Sequence, residues 1–238
     1  MQVGLARRAA AEALGAALLA GVVIGSGVLA ERLSAGNDAI ALLGNTAATG
    51  AILYVLVTGL GPLSGAHFNP AVSLIMALRR ELSVAGFLLY APAQVAGCVC
   101  GAMLAHAMFD LPLLQVATQA RQGVSQVLSE GVATFALVFA ILTVARWRPH
   151  AVATAVALVI TAGYWWTAST SFANPAITIA RAMSDTFAGV RPADAPGFIA
   201  GQFAGALAAW LVCAALLPKH DISAAGVDAG ASPISSNK

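Results

Sequence analysis

The stretch SFANPAITIARAMSD, Ser171 to Asp185, decides how this chain folds. It follows an apolar run, yet it opens like the start of a helix. Asn174 is a good capping residue, and Pro175 suits the first helical position. A second stretch repeats the signal. HFNPAVSLIMALRR starts at His67, and FANPAITIARAMSD starts at Phe172. Each holds Asn-Pro-Ala, as Asn69, Pro70, Ala71 and as Asn174, Pro175, Ala176. Other landmarks recur in the same order. Glu12 opens one apolar run and Glu130 another; AQVAG carries Gln94 and GQFAG carries Gln202. The chain reads as two copies of one unit.

Composition places the unit in lipid. Of 238 residues, 59% are hydrophobic and only 9% charged, against about 25% charged in a soluble domain. Mean hydropathy is +0.83. The net charge of +2 is too small to suggest nucleic acid. Cys98, Cys100 and Cys213 all fall in apolar runs and read as small buried side chains. The four histidines are scattered, and no metal site or cofactor is expected. Arg7 and Arg8 precede an apolar stretch reaching about Leu33, longer than the usual h-region of a signal peptide, so it reads as an uncleaved first span.

A bilayer core needs about 20 apolar residues per helix. Six stretches qualify, near 10–33, 40–60, 83–108, 125–145, 150–168 and 196–217, while 69–80 and 174–186 are too short. A single membrane domain is expected over 1–217, with repeats at about 10–108 and 125–217. The tail, 218–238, is polar and small and is expected to be a disordered cytoplasmic segment. With the N-terminus inside, Arg7, Arg8, Arg79, Arg80, Arg146, Arg148, Lys219 and Lys238 lie inside, and Arg32, Arg121, Arg181 and Arg191 outside. That bias puts both termini in the cytoplasm. Tyr164, Trp165 and Trp166 then fall at the outer interface, where aromatic residues collect.

Each repeat holds three spans and one short segment. Three is odd, so the second copy enters from the opposite face. A matched pair of short hydrophobic segments marks an inverted repeat with its site between the halves. A segment of about 10 residues is about 15 Å long, half of a 30 Å hydrocarbon core. Two such half-helices meet N-terminus to N-terminus at the midplane, each carrying roughly half a positive charge. Asn69 and Asn174 cap their own helices and aim amide donors into the gap. Neutral, hydrogen-bond-accepting molecules are favoured there.

Paired Asn-Pro-Ala boxes in a six-span inverted repeat strongly resemble the aquaporin, or major intrinsic protein, family. The resemblance runs from Glu12 to about Leu217. It implies an all-α integral membrane fold of six transmembrane helices plus two re-entrant half-helices. It further implies a homotetramer in the plasma (inner) membrane, one pore per subunit, and passive flow of water or small neutral solutes. It also implies a second constriction nearer the outer face. Counting from the boxes puts that filter at Thr49, Ala162, Ser171 and Ile177. Most family members carry arginine at the last position; this sequence has isoleucine, and no aromatic residue among the four. A wide, uncharged filter is expected, passing glycerol-like polyols and neutral metalloid acids such as arsenite. The arginine replacement, with the following TIAR and SDTFAG, looks like bacterial aquaglyceroporins associated with arsenic resistance.

Several residues keep two readings. Arg181 lies one turn beyond Ile177, as a vestibule arginine or as an interfacial one pairing with Asp185. His67 is pore lining or a pH gate. Glu12 and Glu130 are a proton relay or, as the resemblance implies, supports for the re-entrant loops, with Gln94 and Gln202 beside them. Gly21/Gly25, Gly97/Gly101 and Gly197/Gly201/Gly205 suit close helix approach. A proton-coupled secondary transporter is the rival function and a water-selective aquaporin the narrower one. No Ser/His, Cys/His or metal motif suggests an enzyme.

Overall fold

The computed structural model describes residues 3–218, so nearly all of the tail assigned to 218–238 lies outside the described residues. Eight α-helices occupy the described range: α1 Leu5–Leu33, α2 Asp38–Ser64, α3 Pro70–Leu78, α4 Val84–Met108, α5 Val124–Trp147, α6 Val152–Trp166, α7 Pro175–Ala182 and α8 Ala195–Leu216. Five of them, α1, α2, α4, α5 and α8, have 22 to 29 residues and are apolar enough to cross a membrane. The sixth expected span, 150–168, is α6, with only 15 residues. The 3-10 turn Pro149–Ala151 lengthens it at its start. It packs between α2 and α5.

The two short segments end earlier than expected. α3 has 9 residues and α7 has 8, or roughly 12–14 Å of helix. Proline opens both, and the side chain of Asn69 or Asn174 caps each. Local signals set the other ends too. Asn37 accepts from the Ala39 and Ile40 amides to start α2, and Ser83 accepts from Gly86 N to start α4. Gly65, at φ 95°, stops α2 in the left-handed region that glycine enters freely.

The outside of the bundle is greasy, and the largely apolar inside holds the buried polar groups. Leu43, Leu88, Leu128, Leu158 and Leu211 are exposed, whereas Glu12, Gln94, Glu130 and Gln202 are fully buried. Contiguous apolar surface of this kind is costly in water and natural in lipid. The two halves are built alike. α1 packs on α4 in the first, and α5 on α8 in the second. Glycine permits both approaches. A methyl group on Gly97 would overlap the Ala13 carbonyl, and one on Gly205 would overlap the Gly131 carbonyl. Backbone touches backbone there, as small residues allow in membrane bundles.

Gly205→Ala should therefore lower stability by about 1–3 kcal/mol through overpacking. Gly59 has open space around it, so Gly59→Ala should be neutral or slightly stabilising. Loss of the monodisperse peak after stepwise heating in detergent would rank the two variants.

Candidate functional site

The chain entering each half-helix is not helical and lies deep in the bundle. Ala66 and Phe68 in the first loop have φ of 51° and 48°; Ser171 and Ala173 in the second have 53° and 49°. None is glycine. The left-handed region costs an ordinary residue about 1–2 kcal/mol, so the surroundings must hold it. Two carboxylates do so. Glu12 accepts from His67 N at 3.0 Å, Phe68 N at 2.6 Å and Ser64 Oγ at 2.6 Å. Glu130 accepts from Phe172 N at 2.9 Å and Ala173 N at 2.8 Å. Gln94 and Gln202 then donate to the two carboxylates at 2.8 and 2.6 Å. The same amide groups donate to Ser73 Oγ and Thr178 Oγ1 on the half-helices.

The two asparagines face each other across the join. Asn69 Oδ1 accepts from Ala71 N, and Asn174 Oδ1 from Ala176 N, both at 2.9 Å. Each side-chain amide also reaches the opposite loop. Asn69 Nδ2 donates to Ala173 O at 2.7 Å, and Asn174 Nδ2 donates to Phe68 O at 2.8 Å. These crossed bonds stitch the halves together.

A cavity of about 270 Å³ runs past this join. Both loops and both asparagines line one side, and apolar side chains such as Leu19, Leu53, Val72 and Leu137 line the rest. A second cavity of about 620 Å³ opens beside Arg8 and Pro62 and shares His67, Met76 and Glu81 with the first. His67 thus stands between cavity and mouth. Its Nδ1 is 3.0 Å from Ser73 Oγ, and its ring meets Tyr90 edge-on.

Of the four filter positions, Thr49, Ser171 and Ile177 line the cavity together. Ala162 does not. It is exposed on α6, and its assignment to the constriction is corrected here. Val152, Val156, Ile160 and Tyr164 are the α6 residues that face the cavity. They recur every four residues on one helix face, and Ala162 falls between them on the other side. The aromatic-free filter is corrected with it. Tyr164 is buried, and its hydroxyl lies 3.2 Å from Thr49 Oγ1. Tyr164 therefore turns inward, while Trp165 and Trp166 are exposed.

Arg181 also lines the cavity and is only 2% exposed. Its Nε donates to Ala188 O, and its guanidinium lies over the Phe172 ring, 3.3 Å from the centroid. It makes no ion pair with Asp185. That carboxylate instead accepts from Thr118 N and Oγ1, both at 2.8 Å, which hold its pKa below the ordinary value. Sequence reasoning passed over Arg121. It comes from the long α4–α5 connection, donates to Gly189 O and lies over the same Phe172 ring at 5.3 Å. No local motif marked it, because its partners are some 50 to 70 residues away.

The family model described as major intrinsic protein matches residues 1–150 of this chain. The chain is 56% identical to Aquaglyceroporin AqpS of Rhizobium meliloti (strain 1021), over 86% of its own length and 88% of that protein's. It is 33% identical to Aquaporin NIP2-2 of Zea mays over 65% of the chain and 55% of that protein. With Probable aquaporin PIP2-8 of Oryza sativa subsp. japonica it shares 41% identity over 42% of the chain and 36% of that protein.

Glu130→Gln keeps one acceptor oxygen but turns an amide donor toward loop N–H groups. Each buried donor left unpaired costs about 1–3 kcal/mol. The variant should lose thermal stability in detergent. Unchanged stability together with an altered pH dependence of transport would instead favour a proton relay.

Proposed function

This chain belongs to the major intrinsic protein family, and on that footing we propose that it is a passive channel for water and small uncharged solutes of the glycerol class. The observation that carries the reading is the cavity beside the two crossed asparagines, with an uncharged wall at position 177. The two half-helix N-termini on that side give donors and a positive field, and the opposite wall is apolar. A polyol fits such a surface: its hydroxyls face the donors and its carbon chain faces the leucines and valines. Neutral metalloid acids such as arsenite present the same array of hydroxyls. The name of the Rhizobium meliloti relative, an aquaglyceroporin, supports the solute class.

The commitment of the buried carboxylates supports a channel over a proton-coupled transporter. Glu12 and Glu130 accept hydrogen bonds from loop amides on both oxygens. A relay group must release such bonds in each cycle. We further propose the arrangement that charge bias and resemblance suggest: a homotetramer in the plasma membrane with both termini cytoplasmic. Thr49, Ser171, Ile177 and Tyr164 form the solute filter in this reading, and His67 lines the inner approach.

Stopped-flow light scattering on proteoliposomes tests the proposal. Native vesicles should pass water, glycerol and a longer polyol. Ile177→Arg should cut polyol permeability by roughly tenfold or more, a barrier of about 1.4 kcal/mol, and leave water flow largely intact. Native vesicles that pass water alone would overturn the broad-solute reading.

A further inference from the structure

Arg181 is a cation inside the pore with most of its donors unused. It stands on α7, one turn beyond Ile177, and only its Nε bonds the protein, at Ala188 O. Neither terminal nitrogen donates to a protein group, yet the residue is almost wholly buried and lines the cavity. Among the described residues it makes no ion pair, and the one carboxylate whose charge reaches it, Glu130, also acts on Arg121. Both oxygens of Glu130 are taken by Phe172 N, Ala173 N and Gln202. Asp185 is exposed and bound to Thr118. The neighbouring charge is another cation, because Arg121 shares the Phe172 ring. The Tyr164 hydroxyl, the remaining polar group of α6 on this wall, is held near Thr49.

We propose that Arg181 is the charge-selecting residue of the pore: its free guanidinium donors receive oxygen atoms of passing solutes or small oxyanions, and its positive charge, one of two that share a single buried carboxylate, rejects cations and protons. Phe172 and Ala188 O hold the side chain to the wall, so it adds charge without closing the passage. Arg121, over the same ring, adds a second positive charge that repels cations. The inference rests on the channel reading above.

Purified full-length protein in vesicles holding a pH-sensitive dye tests it. A potassium gradient with valinomycin drives proton entry, and glycerol flux is measured on the same vesicles. Arg181→Gln keeps a donor for Ala188 O but removes the charge. It should retain glycerol flux and raise proton conductance about ten- to a hundredfold, as loss of a nearby unit charge predicts. Arg181→Lys should restore exclusion. A Gln variant with native glycerol flux and native proton exclusion overturns the assignment and leaves the channel reading standing. Native vesicles without glycerol flux sink the broad-solute channel reading on which the inference rests. The native protein gives a second arm that needs no variant. Sodium formate should slow glycerol efflux with saturation, while choline at the same ionic strength with a bulky impermeant anion should not. Glycerol efflux indifferent to formate also overturns the proposal.

Discussion

A backbone that stops halfway across a lipid slab has nowhere to leave its polar groups. Hydrocarbon offers no hydrogen bonds, so irregular chain survives at that depth only inside protein or along a wet cavity. Two segments of this protein break the rule of the full span, and the rest of the structure serves them. Glu12 and Glu130 each gather two consecutive loop amides. A bare carboxylate would be intolerable in such a place. Here each is held by several short donors, which together offset the loss of water. The left-handed residues before both asparagines follow from the same bonds. Each carboxylate draws two neighbouring N–H groups to one side, and the loop carbonyls are turned elsewhere.

The crossed asparagines add a constraint that neither half contains alone. Each half-helix is capped by its own asparagine but braced by the other's loop. The spacing between the two N-termini is therefore set by hydrogen-bond length rather than by packing of soft side chains. Two like helix ends repel, and the Nδ2–carbonyl bonds hold them against that repulsion. Close glycine contacts serve the same purpose at the flanks. They bring α1 to α4 and α5 to α8 near enough for Gln94 and Gln202 to reach both a carboxylate and a half-helix hydroxyl.

Much of this was legible in the sequence because it is written in repeats. The Asn-Pro-Ala boxes, the glutamates and the glutamines recur at matching places, and the members of each pair make equivalent contacts in space. Capping chemistry fixed where α3 and α7 begin. What stayed hidden depends on distances between segments. Counting back from Asn174 to Ala162 crosses the loop before the half-helix, whose path the count does not contain. The four-residue rhythm of Val152, Val156, Ile160 and Tyr164 carried the correct register, but Tyr164 sits beside two tryptophans and passes for an interfacial residue. Arg121 had no local signal, since its role comes from a connection folding back across the bundle.

The position of Arg181 gives the filter its logic. An arginine at 177 would supply charge and bulk at one point, so any gain in repulsion of cations would also narrow the passage. Isoleucine at 177 with arginine at 181 separates the two by about one helical turn, or 5.4 Å. At the first point the wall is apolar and of moderate size. At the second, the cation lies over the Phe172 ring and donates to Ala188 O. A guanidinium stacked on an aromatic face keeps its edge donors available. On the proposed reading, size and charge are set by different residues on the same helix face. That separation lets a pore admit a solute larger than water and still present it with a positive wall.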